Sequence, residues 1–247
     1  MLLSSQALLI ILVCTVATSI VSAVMGMAGG VMLLVIIASL TETIYIVPLY
    51  SSIQLISNTT RLLLFFKHIH WNIIRLFILG LVPGSLCGIY LVQMLPKDAI
   101  KLLMGVFILL ATYVPKSKTE IRTGIGVFFG LGIISGILSV LLGTPGPLLA
   151  PFFVRNDIIK EELIATKAVC QTLSHILNII LYGFIGVNIL VHWNILVVLG
   201  SAAIIGTLLG KKLLTKISDR YFLIAFKVLL TLIALRIVVI QVMKIWV

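Results

Sequence analysis

The sequence predicts an all-α integral membrane protein with about eight transmembrane helices. They form two inverted repeats, each holding a glycine-broken re-entrant hairpin. Three observations predict it: a composition too apolar for a water-facing surface, a match of the chain with itself at a near-constant offset, and a lopsided distribution of Lys and Arg.

Of the 247 residues, 61% are hydrophobic and 10% charged, with a mean hydropathy of +1.29. A soluble domain is about 45–50% apolar and about 25% charged. The apolar stretches run to about 20 residues, the length that crosses a hydrocarbon core about 30 Å thick. Their pattern places helices at about 6–25, 46–66, 73–95, 99–114, 123–142, 164–185, 193–214 and 221–243. Two apolar pieces, 31–40 and 147–154, each follow a Gly-rich break and are too short to cross alone. The run 6–25 lacks a basic region ahead of it and reads as a retained first helix rather than a cleaved signal.

A shift of 117 residues superposes Gly26 on Gly143, Gly29 on Gly146, Gln54 on Gln171 and Ser57 on Ser174. After about five extra residues in the second half, a shift of 122 sets Gly84 on Gly206 and Gly88 on Gly210. The repeat divides the chain into a first unit, 1–115, and a second, 116–247.

If each short piece turns back beside the helix before it, each half makes three further crossings and the halves face opposite ways. One side of the membrane then holds fourteen Lys and Arg, among them Arg61, Arg75, Arg155, Lys167 and Lys211; the other holds Lys97, Lys101 and Lys244. Simple eight-fold crossing splits them ten to seven. The turned-back arrangement fits the rule that basic loops stay cytoplasmic, with both termini on the far side. Inverted repeats with broken helices recur in secondary transporters, whose sites lie near the midplane.

The breaks read Gly26-Met27-Ala28-Gly29-Gly30 and Gly143-Thr144-Pro145-Gly146-Pro147. Each starts a short helix, Pro147 suiting its first position. Unpaired N–H groups in hydrocarbon cost several kcal/mol each, and a helix N-terminus favours an anion. The alternative is that these glycines only permit close helix packing.

Two polar stripes follow. Gln54, Ser57, Asn58 and Arg61 lie at i, i+3, i+4 and i+7; Gln171, Ser174, His175 and Asn178 repeat the spacing. Each set occupies one helix face, and polar groups within a span face the interior. They would donate hydrogen bonds to a bound oxyanion, or else bond helix to helix. Arg61 matches an oxyanion's geometry, but its place near a helix end favours snorkelling to the interface. His175 is either a titrating group or a merely hydrogen-bonded one. Gly80, Gly84 and Gly88, echoed by Gly206 and Gly210, read as close helix contact. Trp71 and Trp193 read as interfacial anchors.

The exclusions are equally definite. The net charge of +11 belongs to loops that set orientation, which argues against nucleic acid. Cys14, Cys87 and Cys170 read as small buried hydrophobes. The seven acids lie almost entirely in loops, the histidines have no metal-type partners, and no catalytic or nucleotide-binding pattern appears, so no enzyme, cofactor or metal is expected.

The break Gly143-Thr-Pro-Gly146-Pro-Leu-Leu-Ala-Pro151 resembles the GxGGG-x-L-x-x-P run of the TauE/SafE sulfite exporter family of bacterial membrane proteins. Gly26-Met-Ala-Gly29-Gly30 resembles its partner, and the resemblance spans roughly residues 8–243. Leu34 stands where the second half has Pro151, and Pro145 and Pro147 interrupt the second cluster. The resemblance implies a multi-pass protein of the cell membrane that moves sulfite, an organosulfonate or a related anion. The expected function is a secondary transporter of such an anion; a passive anion channel of the same fold, or a non-catalytic membrane subunit, is the alternative. The expected partners are a small anion and the lipid bilayer, with a homodimer left open.

Overall fold

A computed structural model describes residues 3–25, 28–64, 66–113, 126–144, 160–213 and 219–246. These residues form nine α-helices: α1 (Ser5–Met25), α2 (Ala28–Leu40), α3 (Thr43–Leu64), α4 (Trp71–Met94), α5 (Lys97–Tyr113), α6 (Val127–Leu142), α7 (Lys160–Phe184), α8 (Trp193–Leu213) and α9 (Asp219–Trp246). Each long helix falls within a few residues of its sequence-predicted span, and α2 is the short piece after the first break. The second short piece, 147–154, lies outside the described residues. Among the described residues, three stretches are by themselves long and apolar enough to cross a membrane: Ser5–Ala23, Trp71–Met94 and Ile189–Gly210.

The molecule is apolar on the outside. Leu79, Val82, Leu86 and Tyr90 on α4, and Ile205, Leu208 and Leu209 on α8, stand exposed, while Ser135, Ser139, Ser174 and Thr207 are buried. A water-soluble chain rarely exposes so large an apolar surface; lipid permits it. Several hydroxyls inside the helices bond the carbonyl one turn back, as Thr15 does to Ile11, Thr112 to Ile108 and Ser174 to Cys170, which pairs those donors within the apolar interior. Cys170 is buried as expected, but Cys87 is exposed on the outer face of α4, a correction to the reading of all three cysteines as buried. Trp71 and Trp193 are exposed at their helix starts.

The chain turns back sharply after α1. A Cβ added to Gly29 would collide with the Thr18 carbonyl and the Ser22 backbone of α1. In one continuous helix positions 18 and 29 would stand about 16 Å apart, so α2 folds against α1 rather than extending it. Alternating polar and apolar faces are absent from α2: Val31, Leu33, Leu34, Val35, Ile37 and Ala38 are all buried. A helix apolar all round belongs in the core, and α2 lies between α1, α3, α5 and α9.

The remaining pairings exchange the two halves. α4 packs along α6 in the same direction, with Gly80, Gly84 and Gly88 against Phe129, Ile133 and Ile137, and Gly132 and Gly136 against Phe77 and Leu81. α8 packs along α1 in the same direction, with Gly206 against Val16 and Gly210 against Ile20 and Ala23. Any larger residue at these glycines would strike the neighbouring backbone, so the small side chains set the helix spacing. α5 and α9 run antiparallel: Gly105 meets Ala234, Ile237 and Val238, whereas Tyr113 bonds Thr231. α3 and α7 also run antiparallel, as the contacts below show.

Candidate functional site

The site is the seam between α3 and α7, the helices that carry the two polar stripes. Ser51, early in α3, takes a hydrogen bond from the Asn178 amide at 2.9 Å and lies 3.3 Å from His175 Nδ1, late in α7. At the other end of α3, Arg61 lies in electrostatic contact with Lys167, early in α7. α3 and α7 therefore run antiparallel, with Ser51 beside the Asn178 end of one stripe and Arg61 toward the Lys167 end of the other.

In the first half, the Arg61 guanidinium donates to Ser22 Oγ and Ser57 Oγ, each at 2.9 Å, and Ser57 Oγ lies 3.3 Å from Thr207 Oγ1. In the second half, the Asn178 amide nitrogen lies 2.9 Å from Ser139 Oγ and 3.1 Å from its carbonyl oxygen. Ser22 and Ser139, like Arg61 and Asn178, are separated by the repeat offset. The sequence-predicted residues Ser57, Asn58, Arg61, Ser174, His175 and Asn178 are all buried. Gln54 is buried against α2, close to Gly30, while Gln171 is only half-buried on the α7 face.

Two expectations about the basic residues are corrected. Arg61 does not snorkel; it is 7% exposed and turns inward to α1. α2 folds back against α1 and also packs on α3, which brings Ser22 within reach of Arg61, and hydroxyl partners hold the guanidinium in. Lys167, expected among the interfacial charges, is 4% exposed on the inner face of α7. It precedes Gln171 by one turn and so extends the polar stripe.

Tyr50, which the sequence reading passed over, joins the two breaks. Its side chain is buried, its hydroxyl stands 3.1 Å from where a Cβ of Gly30 would lie, and it shares a hydrogen bond with Thr144 beside the second break. Its ring meets the His175 ring edge-on at 5.6 Å. Gly143 ends α6 with φ 89°, its N–H bonded to the Ser139 carbonyl at 2.9 Å, and a Cβ there would lie 2.8 Å from Leu34 of α2. The first break's helix and the end of α6 thus converge on Tyr50. Gly26 and Gly146, also expected to bind substrate, lie outside the described residues.

Tyr50, like Lys167, sits one helical turn before a stripe glutamine, so a stripe extended by one turn would have found both. Ser22 and Ser139 were findable from the offset alone.

Several buried polar atoms have no partner: Arg61 Nε, both amide atoms of Asn58, and His175 Nε2. Buried polar groups in proteins are nearly always paired. Asn58 and Arg61 lie one turn apart on α3, and Arg61 stands within electrostatic range of His175 on α7. Among the described residues no carboxylate pairs with Arg61, and no group of three or more His, Cys, Asp or Glu gathers as a metal site. The arrangement can accept hydrogen-bond acceptors and negative charge.

The chain is similar to a protein described as a probable sulfite/organosulfonate exporter TauE from Cupriavidus necator, at 29% identity over 103 residues, 39% of this chain and 40% of the relative. The chain thus matches less than half the length of that relative. No solved structure matches. Residues 10–237 match the family described as sulfite exporter TauE/SafE, a family of transporters rather than enzymes. The chain, a multi-pass membrane protein, belongs to the TauE/SafE sulfite exporter family.

Proposed function

We propose that the protein is a secondary transporter of the cell membrane that carries a small anion such as sulfite or an organosulfonate through the α3–α7 seam. One observation carries the reading: Arg61 is buried with hydroxyl partners and no carboxylate among the described residues. A buried charge without a counter-charge costs several kcal/mol, and hydroxyls do not neutralise it. A bound anion does, and guanidinium matches an oxyanion's oxygens. The similarity to the probable sulfite/organosulfonate exporter of Cupriavidus necator supports the substrate class.

The packing supports inverted repeats and alternating access. Repeat-equivalent helices, α3 with α7 and α5 with α9, pair antiparallel, as two modules facing opposite ways across a membrane would. Eight crossings around the buried α2 complete this reading. Motion of one repeat against the other would then open the seam to alternate sides.

The test is flux of labelled sulfite into proteoliposomes. Uptake that saturates and is accelerated by sulfite trapped on the opposite side supports a transporter. Uptake that rises linearly without exchange overturns it in favour of a channel. Arg61→Gln is expected to abolish uptake in a correctly folded protein; unchanged uptake removes Arg61 from the pathway.

A further inference from the structure

The geometry points to a substrate that brings a hydrogen-bond donor of its own: a singly charged oxyanion bearing one O–H or N–H, held at Asn58. This rests on the proposed anion site and deepens it.

The argument turns on which unpartnered atoms donate and which accept. Ser51 Oγ accepts the N–H of Asn178 at 2.9 Å. We assign its own proton to His175 Nδ1, at 3.3 Å, which is the tautomer that pairs both groups. A neutral imidazole with Nδ1 accepting carries its proton on Nε2. His175 Nε2 is therefore a donor, and it is fully buried with no partner. Arg61 Nε is a second unpartnered donor and Asn58 Nδ2 a third.

Asn58 Oδ1 is different. It is an acceptor, 1% exposed and unpartnered. Reversing the amide leaves the count unchanged, because both of its ends lack partners. Three donors suit the oxygens of an oxyanion, but a fully deprotonated oxyanion offers Asn58 Oδ1 only lone pairs, which repel it. An acceptor left unpaired in a buried site penalises the ligand that fails to satisfy it. Asn58 and His175 occupy equivalent places in the two repeats, and their unpaired atoms make the site lopsided: a donor from one half, a donor and an acceptor from the other. The complement of that lopsided site is an anion with one protonated atom. The donor sits either on the sulfur, as in hydrogen sulfite or sulfamate, or on the tail of a hydroxysulfonate.

Two matched pairs of anions test this by calorimetry on the purified, lipid-reconstituted protein. Sulfamate and methanesulfonate share charge and shape but differ in an amino group on sulfur. Hydroxyethanesulfonate and propanesulfonate differ in a hydroxyl on the tail. The inference expects the donor-bearing member of one pair to bind at least about tenfold tighter, the pair telling where the donor sits. It also expects Asn58→Leu to bring that ratio close to one. Equal affinities within both pairs, the result that a bound water at Asn58 would produce, overturn the inference while leaving the anion site standing. Binding of none of the four while sulfite binds overturns the inference alone, and binding of none of the four nor of sulfite overturns both. If Asn58→Leu does not fold, the ratios on the unaltered protein decide alone.

Discussion

Asn178 holds in the second half of the chain the place that Arg61 holds in the first. Each reaches back to the equivalent serine of an earlier helix, Arg61 to Ser22 Oγ and Asn178 to Ser139 Oγ, both at 2.9 Å. One socket is thus built twice, once around a cation and once around a neutral amide. The site is structurally paired and electrically one-sided.

Arg61→Asn puts the second half's side chain into the first half's socket. The variant is expected to fold, because an amide already satisfies the equivalent serine, and to lose anion affinity by about thirtyfold or more. Removing one partner of a buried charge pair costs about 2–5 kcal/mol. Calorimetry with sulfite, alongside thermal unfolding, separates the two effects. An anion affinity within threefold of the unaltered protein would exclude a charge role.

The Asn178 socket lends itself to a double-mutant cycle. Ser139→Ala and Asn178→Ala are each expected to destabilise the protein. Their coupling should fall near the about 0.6 kcal/mol average for hydrogen bonds between membrane helices, with an upper value of about 1.7. Denaturant unfolding in mixed micelles measures it. Strict additivity would mean that the bond contributes nothing beyond its parts.

The glycine seam gives a paired prediction. Gly84→Ala drives a methyl into the Ile133 backbone of α6 and is expected to cost about 1–3 kcal/mol. Gly130→Ala, on α6 with nothing within 4 Å of the added methyl, is expected to be neutral or to stabilise by about 0.5–1 kcal/mol through helix propensity. Equal effects in thermal unfolding would show that spacing between α4 and α6 is not set by these glycines.

Gly143 and Gly186 both adopt positive φ, 89° and 87°. A Cβ at Gly186 meets nothing within 4 Å, whereas one at Gly143 presses on Leu34. Gly186→Ala is expected to cost about 1–2 kcal/mol, the backbone penalty alone. Gly143→Ala should cost more, and in a double-mutant cycle Leu34→Ala, whose own cavity costs about 2–5 kcal/mol, should cancel only that difference. A full recovery would show that backbone strain at Gly143 is negligible.

The membrane class and the helix positions were legible in the sequence. Apolar run length and the i, i+3, i+4, i+7 spacing of Gln54 to Arg61 and Gln171 to Asn178 are local properties of the chain. What the tertiary structure decided was where the stripes point and what they meet. Whether Arg61 snorkels or turns inward depends on α1, 39 residues away in sequence. Its Ser22 comes within reach because α2 folds back. The burial of Lys167 and the placing of Tyr50 between the breaks likewise depend on α3 and α7 crossing antiparallel. A linear pattern records which residues share a helix face, but the partner of that face is chosen by packing between distant segments.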